Sequence, residues 1–154
     1  MEALYIILIA MSPIGELRAA IPLGYLEFEQ PLYLVVLLSL LGNMIPVFFL
    51  LWALPRLSVL LSSSRNPVGR FLNWRAERLR TTQGSRFRKY GAFILVPLVA
   101  VPLPFTGAWT GCIAAWAFDI PPKKALPLIA LGVLIAGVIV TALTVCGINV
   151  THWF

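Results

Sequence analysis

Glu16 and Arg18 stand two residues apart in Ser12-Pro13-Ile14-Gly15-Glu16-Leu17-Arg18, within an otherwise apolar N-terminal stretch. Ionisable side chains at membrane depth are costly and mark functional positions by default. A carboxyl enclosed in apolar surroundings can exchange a proton near neutral pH, so Glu16 is a candidate for proton coupling. Arg18 keeps its charge and presents a planar fork that suits a carboxylate or phosphate, which makes it a candidate for binding an anionic substrate. The plainer alternative is an ion pair that only pins the local backbone, or a turn at the membrane surface where both groups are hydrated.

Composition defines what must position these residues. The chain has 154 residues, of which 60% are hydrophobic and only 12% charged, with a mean hydropathy of +0.90. Soluble domains carry about 25% charged residues, so the composition excludes a disordered chain and argues against a soluble domain. Residues 30–55, 90–118 and 125–154 contain no charge. Each window exceeds the roughly 20 apolar residues needed to cross a bilayer core of about 30 Å. The sequence predicts an all-α integral membrane protein as a single domain.

Within these windows the helix breakers are uneven. Pro13, Gly15, Pro22 and Gly24 interrupt the first segment, and Pro102, Pro104, Gly107 and Gly111 interrupt the third. Half-length helices joined by such breaks describe re-entrant hairpins, because broken backbone at membrane depth must be buried in protein or line a cavity. Residues 31–55, with Gly42, Asn43 and Pro46 interrupting the middle, and 125–150 read as spanning helices. Between them, Val68, Phe71, Leu72, Ala76 and Leu79 recur at helical spacing among Arg70, Arg75, Arg78 and Arg80. This predicts a short basic amphipathic helix ending at Gly84, with those arginines on anionic lipid headgroups rather than nucleic acid.

Nine of the twelve Lys and Arg lie in residues 56–89, and two more are Lys123 and Lys124. The positive-inside rule places both regions on the cytoplasmic side of a multi-pass protein of the plasma membrane. That orientation makes residues 1–55 and 90–154 an inverted repeat of hairpin plus spanning helix, joined by the basic linker 56–89. Leu41-Gly42-Asn43-Met44-Ile45 faces Leu131-Gly132-Val133-Leu134-Ile135 at an offset of 90, and Arg18 faces Thr106 at an offset of 88. Inverted repeats with broken helices at their interface are a design of secondary transporters.

Further candidates follow from that placement. Asn43 is polar in mid-helix and either contacts the hairpin tip or a substrate, or serves as interhelical glue. Thr106, Trp109 and Thr110 offer polar groups at the second tip, whereas Gly107 and Gly111 equally suit close helix packing. Asp119 reads as a turn residue before Pro121 and Pro122. Cys112 and Cys146 read as free, buried thiols. No nucleotide motif, metal-ligand cluster or nucleophile–histidine pair is present, so neither an enzyme, a cofactor nor a metal is expected.

Ser12-Pro13-Ile14-Gly15-Glu16-Leu17-Arg18 with Ile21-Pro22-Leu23-Gly24, Gly42-Asn43-x2-Pro46, and Pro102-Leu103-Pro104-x-Thr106-Gly107-Ala108-Trp109-Thr110-Gly111 together resemble the small multi-drug export protein family. That family looks like a relative of the DedA (VTT-domain) superfamily, which is built on two re-entrant hairpins and associated with proton-dependent lipid-phosphate translocation and drug resistance. The resemblance implies membrane acids and arginines in the hairpins, roles that Glu16 and Arg18 fit. Phe105 stands where the resemblance expects a small residue. Three functions are in view: a proton-coupled transporter or flippase for an amphiphilic anion such as a lipid (polyprenyl) phosphate, a small exporter of hydrophobic cations, and a non-transporting membrane scaffold docked through residues 56–89. Two spans and two hairpins enclose little volume, so a homodimer is expected.

Overall fold

The computed structural model describes residues 2–61, 67–101 and 107–152, and every regular element among them is helical. The α-helices are α1 (Glu2–Met11), α2 (Glu16–Leu26), α3 (Leu32–Leu61), α4 (Pro67–Tyr90), α5 (Leu95–Ala100), α6 (Ala108–Ala117) and α7 (Pro122–His152). A 3-10 turn, Gly91–Ile94, leads into α5.

Among the described residues, two helices are long and apolar enough to cross a membrane. They are Leu32–Arg56 within α3, with a hydropathy of 2.5, and Pro122–Gly147 within α7, with a hydropathy of 2.7. Each buries one stripe at three- and four-residue steps, as helical periodicity requires. On α3 the stripe includes Val35, Ser39, Asn43, Val47 and Leu51; on α7 it includes Ala125, Ile129, Val133, Ala136 and Val140. The opposite faces carry exposed Phe48, Phe49 and Trp52, and Leu134, Val138 and Leu143. Large apolar side chains turned outward suit a lipid surround.

The short helices pair as hairpins. α1 returns as α2 after the break at residues 12–15, and the Gln30 amide nitrogen donates to the Glu2 carboxylate, closing the open end. Tyr5 and Phe28 meet at the same end, with ring centroids 6.5 Å apart. The second hairpin pairs α5 with α6, and Phe87 of α4 stacks on Phe118, just past α6, at 4.4 Å. α1 packs along α3 and α5 along α7. A glycine permits each approach: a Cβ at Gly42 would lie 2.9 Å from the Ile7 carbonyl oxygen, and one at Gly132 would lie 3.0 Å from that of Val96.

The loops entering the two long helices are also alike. Glu29 and Asp119 both have positive φ, 50° and 53°. The Pro31 carbonyl accepts from the Leu34 and Val35 amides, and the Pro121 carbonyl accepts from those of Lys124 and Ala125. Both loops read Phe-acid-x-Pro, at 28–31 and 118–121.

Several expectations change. Pro22 and Gly24 lie inside α2, so the first break is confined to residues 12–15. α3 runs unbroken through Pro46 and Pro55, since a proline costs a helix one amide donor without ending it when neighbouring helices hold the backbone. Gly84 does not end α4, which continues to Tyr90; its Cα faces open space. Cys112 is buried but Cys146 is exposed. Nor does α4 lie apart from the bundle. Gly69 and Ala76 are buried on its inner face, and it packs alongside α6.

Candidate functional site at the meeting of the two hairpin tips

The break at residues 12–15 is held by its own serine. The Ser12 hydroxyl donates to the Ile9 carbonyl at 2.8 Å and accepts from the Gly15 amide at 2.9 Å. The next residue, Glu16, has φ of 46°, a left-handed conformation that non-glycine residues rarely adopt and that clusters at functional positions. It lies at the first turn of α2 with its side chain buried, 6% exposed.

That side chain crosses to the second hairpin. The Trp109 amide donates to Glu16 Oε1 at 3.4 Å, and the Ala108 amide also bears on the carboxylate. Both amides belong to the first turn of α6, where the unsatisfied N–H groups of a helix amount to roughly half a positive charge. Gly107, just before α6, has φ of 123°, and a side chain there would collide with the Glu16 carboxylate. The Trp109 indole makes a second link between the tips, donating from Nε1 to the Met11 carbonyl at 3.2 Å. Glu16, Gly107 and Trp109, predicted separately, therefore form one junction, with Gly15 behind it and Pro13 exposed in the break.

The other candidates surround it. Arg18 is half-buried in the first turn of α2 and acts electrostatically on Glu16. Asn43 is 1% exposed on the inner face of α3. On that stripe Val35 meets Gly24 of α2, and the Val47 carbonyl accepts weakly from Cys112 of α6 at 3.9 Å. Ser39 and Asn43 thus fall between the contacts with α2 and α6. The Asn43 Oδ1 and Ser39 Oγ atoms have no hydrogen-bond partner among the described residues, an arrangement that calls for a polar occupant or water. Pro102, Pro104 and Thr106 lie outside the described residues. No group of three or more metal-ligating side chains occurs among the described residues.

Thr110 is buried and accepts a hydrogen bond from Arg75 Nη2 of α4 at 3.4 Å. Arg80 Nε donates to the Ala117 carbonyl at the far end of α6, at 2.8 Å. α6 thus meets a carboxylate at its positive end and a guanidinium at its negative end, both favourable to the helix dipole. Of the four arginines expected on lipid, Arg75 and Arg80 hydrogen-bond to α6; Arg75 is half-buried, while Arg70, Arg78 and Arg80 are exposed. The contacts of Arg75 and Arg80 had no signal in the spacing, because arginines flanking an apolar stripe read equally as a solvated face. The positive φ of Glu16 likewise had none.

Two membrane-length helices, two hairpins and a buried carboxylate at their junction define a helical membrane protein with an internal polar site. The chain belongs to the small multi-drug export protein family, whose model matches residues 16–139 and so covers α2 through most of α7. The family's name points to multi-drug export, that is, to membrane transport. No curated protein and no solved structure matches the chain.

Proposed function

We propose that this chain is a proton-coupled secondary transporter that moves an amphiphilic anion such as a lipid (polyprenyl) phosphate. The observation that carries this is the buried Glu16 carboxylate seated on the N-terminus of α6. A helix N-terminus attracts any anion, so Glu16 and an anionic headgroup compete for the same amides. Ionised, Glu16 holds the two tips together. Protonated, it yields those amides, and a phosphate takes its place near Arg18, with Asn43 turned inward to donate from its amide. Proton and anion are then coupled by competition for one site.

An inverted repeat with re-entrant hairpins suits this mechanism. Its support is the correspondence at an offset of 90: Gly42 with Gly132, Pro31 with Pro121, and the buried stripes of α3 and α7. α1, at ten residues, is about 15 Å long, half the hydrocarbon core. With α4 and Lys123/Lys124 on the cytoplasmic side, the arginine face of α4 beside α6 lines a watery approach to the tips. A homodimer would enclose the substrate that one chain is too small to surround. The test is uptake of a polyprenyl phosphate into proteoliposomes under an imposed pH gradient. Gradient-driven uptake that disappears in Glu16→Gln and Arg18→Ala is expected; uptake intact in both variants sinks the mechanism.

A second substrate class, hydrophobic cations, is suggested by the drug export in the family's name and by the presence of both an acid, Glu16, and an aromatic residue, Trp109, at the junction. Competition in the same vesicles separates the two. Inhibition by a lipophilic cation but not by a lipid phosphate would select the cation.

A further inference from the structure

A second site lies on the outer side of the α5 hairpin, away from Glu16. Arg86 and Gln83 of α4, Tyr90, Phe93, Ile94 and the α5 side of Pro97, Leu98 and Val101 line a groove of about 360 Å³. Its chemistry is mixed. Its lining includes the Arg86 guanidinium, which donates to the neutral Gln83 Oε1 at 3.4 Å, and Tyr90, whose ring centroid lies 5.3 Å from the Lys89 ammonium. The rest is apolar, with Phe93 72% exposed and Val101 44% exposed. A neighbouring depression holds Arg80 and Arg88 but also Asp119, so its cations face an internal counter-charge. Among the described residues, no acidic side chain lines the groove at Arg86.

We infer that this groove binds an anionic phospholipid, with its phosphate at Arg86 and Lys89 and an acyl chain running along Phe93, Pro97 and Val101. The occupant follows from charge and shape together. A cationic mouth without an acid selects a negative headgroup, and tyrosine beside lysine is the pairing found at the membrane–water boundary. The apolar lining of Phe93, Ile94, Pro97, Leu98 and Val101 suits a hydrocarbon chain better than a polar segment. The site does not depend on the transport mechanism, because none of its residues touches Glu16 or the first turn of α6 in the contacts described above.

Native mass spectrometry of the full chain released from nanodiscs of mixed phosphatidylglycerol and phosphatidylcholine tests this. One phosphatidylglycerol per chain is expected to survive detergent washing. Arg86→Gln should reduce the preference for phosphatidylglycerol about fivefold, the worth of one cation near an anionic headgroup. Lys123→Gln, the same charge change in α7, should leave it unchanged. Leu98→Trp, which fills the groove, should remove the retained lipid whatever its headgroup; Arg86→Gln is a surface change and serves if Leu98→Trp fails to fold. Retention of both lipids equally, or equal losses in Arg86→Gln and Lys123→Gln, overturns the site. So does a change of oligomer mass in Leu98→Trp with no lipid on the wild type, which would make the groove a contact between copies.

Discussion

The helices that follow the two breaks, α2 and α6, have nearly equal length but opposite ways of satisfying their N-termini. α2 is closed from within its own hairpin, where Ser12 ties the Gly15 amide and the Ile9 carbonyl. α6 is preceded by a glycine at φ of 123° and takes its anionic partner, Glu16, from the other hairpin. One hairpin therefore stands alone, and the other is completed only while Glu16 is in place. This asymmetry within otherwise similar halves concentrates the chemistry at a single carboxylate.

The largest test of that contrast is Glu16→Gln, which keeps shape and removes charge. Proton-driven uptake should fall to the level of empty vesicles, while Glu16→Asp, one methylene shorter, should keep part of it. If Glu16→Gln transports normally, the contrast between α2 and α6 is structural only. Next is Gly107→Ala. It forces a side chain into the Glu16 carboxylate at a φ that costs about 1–3 kcal/mol by itself. Gly15→Ala also crowds its surroundings, with a Cβ 2.7 Å from Ser12 Oγ and 2.9 Å from the Ile9 carbonyl oxygen, but at an ordinary φ of −78° it adds no backbone strain, so it should lower the melting temperature in detergent less than Gly107→Ala does. Equal losses would erase the distinction between self-closed and cross-closed helices.

A smaller pair of changes sharpens the likeness of the halves. Gly42→Ala places a Cβ 2.9 Å from the Ile7 carbonyl oxygen, and Gly132→Ala places one 2.7 Å from Val99 Cβ. Each should destabilise by about 1–3 kcal/mol, the usual cost of overpacking. Chemical denaturation in micelles would compare them, and a large difference would count against equivalent packing. The smallest effect belongs to Arg80→Ala. It removes one guanidinium from the C-terminal end of α6, for which about 0.3–1 kcal/mol is expected. The same measurement detects it against Arg70→Ala, which touches only the exposed face.

Much of this arrangement was legible in residue types. Glu16 was marked by the rarity of ionisable groups in apolar segments, Trp109 by its place at the second break, and the pairing of Gly42 with Gly132 followed from matching five residues. The likeness of Phe28-Glu29-Gln30-Pro31 to Phe118-Asp119-Ile120-Pro121 was also present but unread, because two of its four positions differ. Pro22, Pro46 and Gly84 were overread as breaks. Helix propensity is a weak guide where neighbouring helices supply the missing contacts. The reach of Arg75 and Arg80 was illegible because a long guanidinium can turn toward water or toward a neighbouring helix from the same position. The two glycines that precede α2 and α6, Gly15 and Gly107, stand 92 apart rather than 88, a difference of about one helical turn.

The indole of Trp109, hydrogen-bonded to the Met11 carbonyl, carries an optical consequence. Its ring is fixed to one hairpin by the chain and to the other by a single donor. Parting the tips frees that donor to water, and an indole losing a fixed acceptor for mobile solvent shifts its emission. With the other tryptophans replaced by phenylalanine, Trp109 becomes a native dye whose colour tracks the separation of the two hairpins in real time.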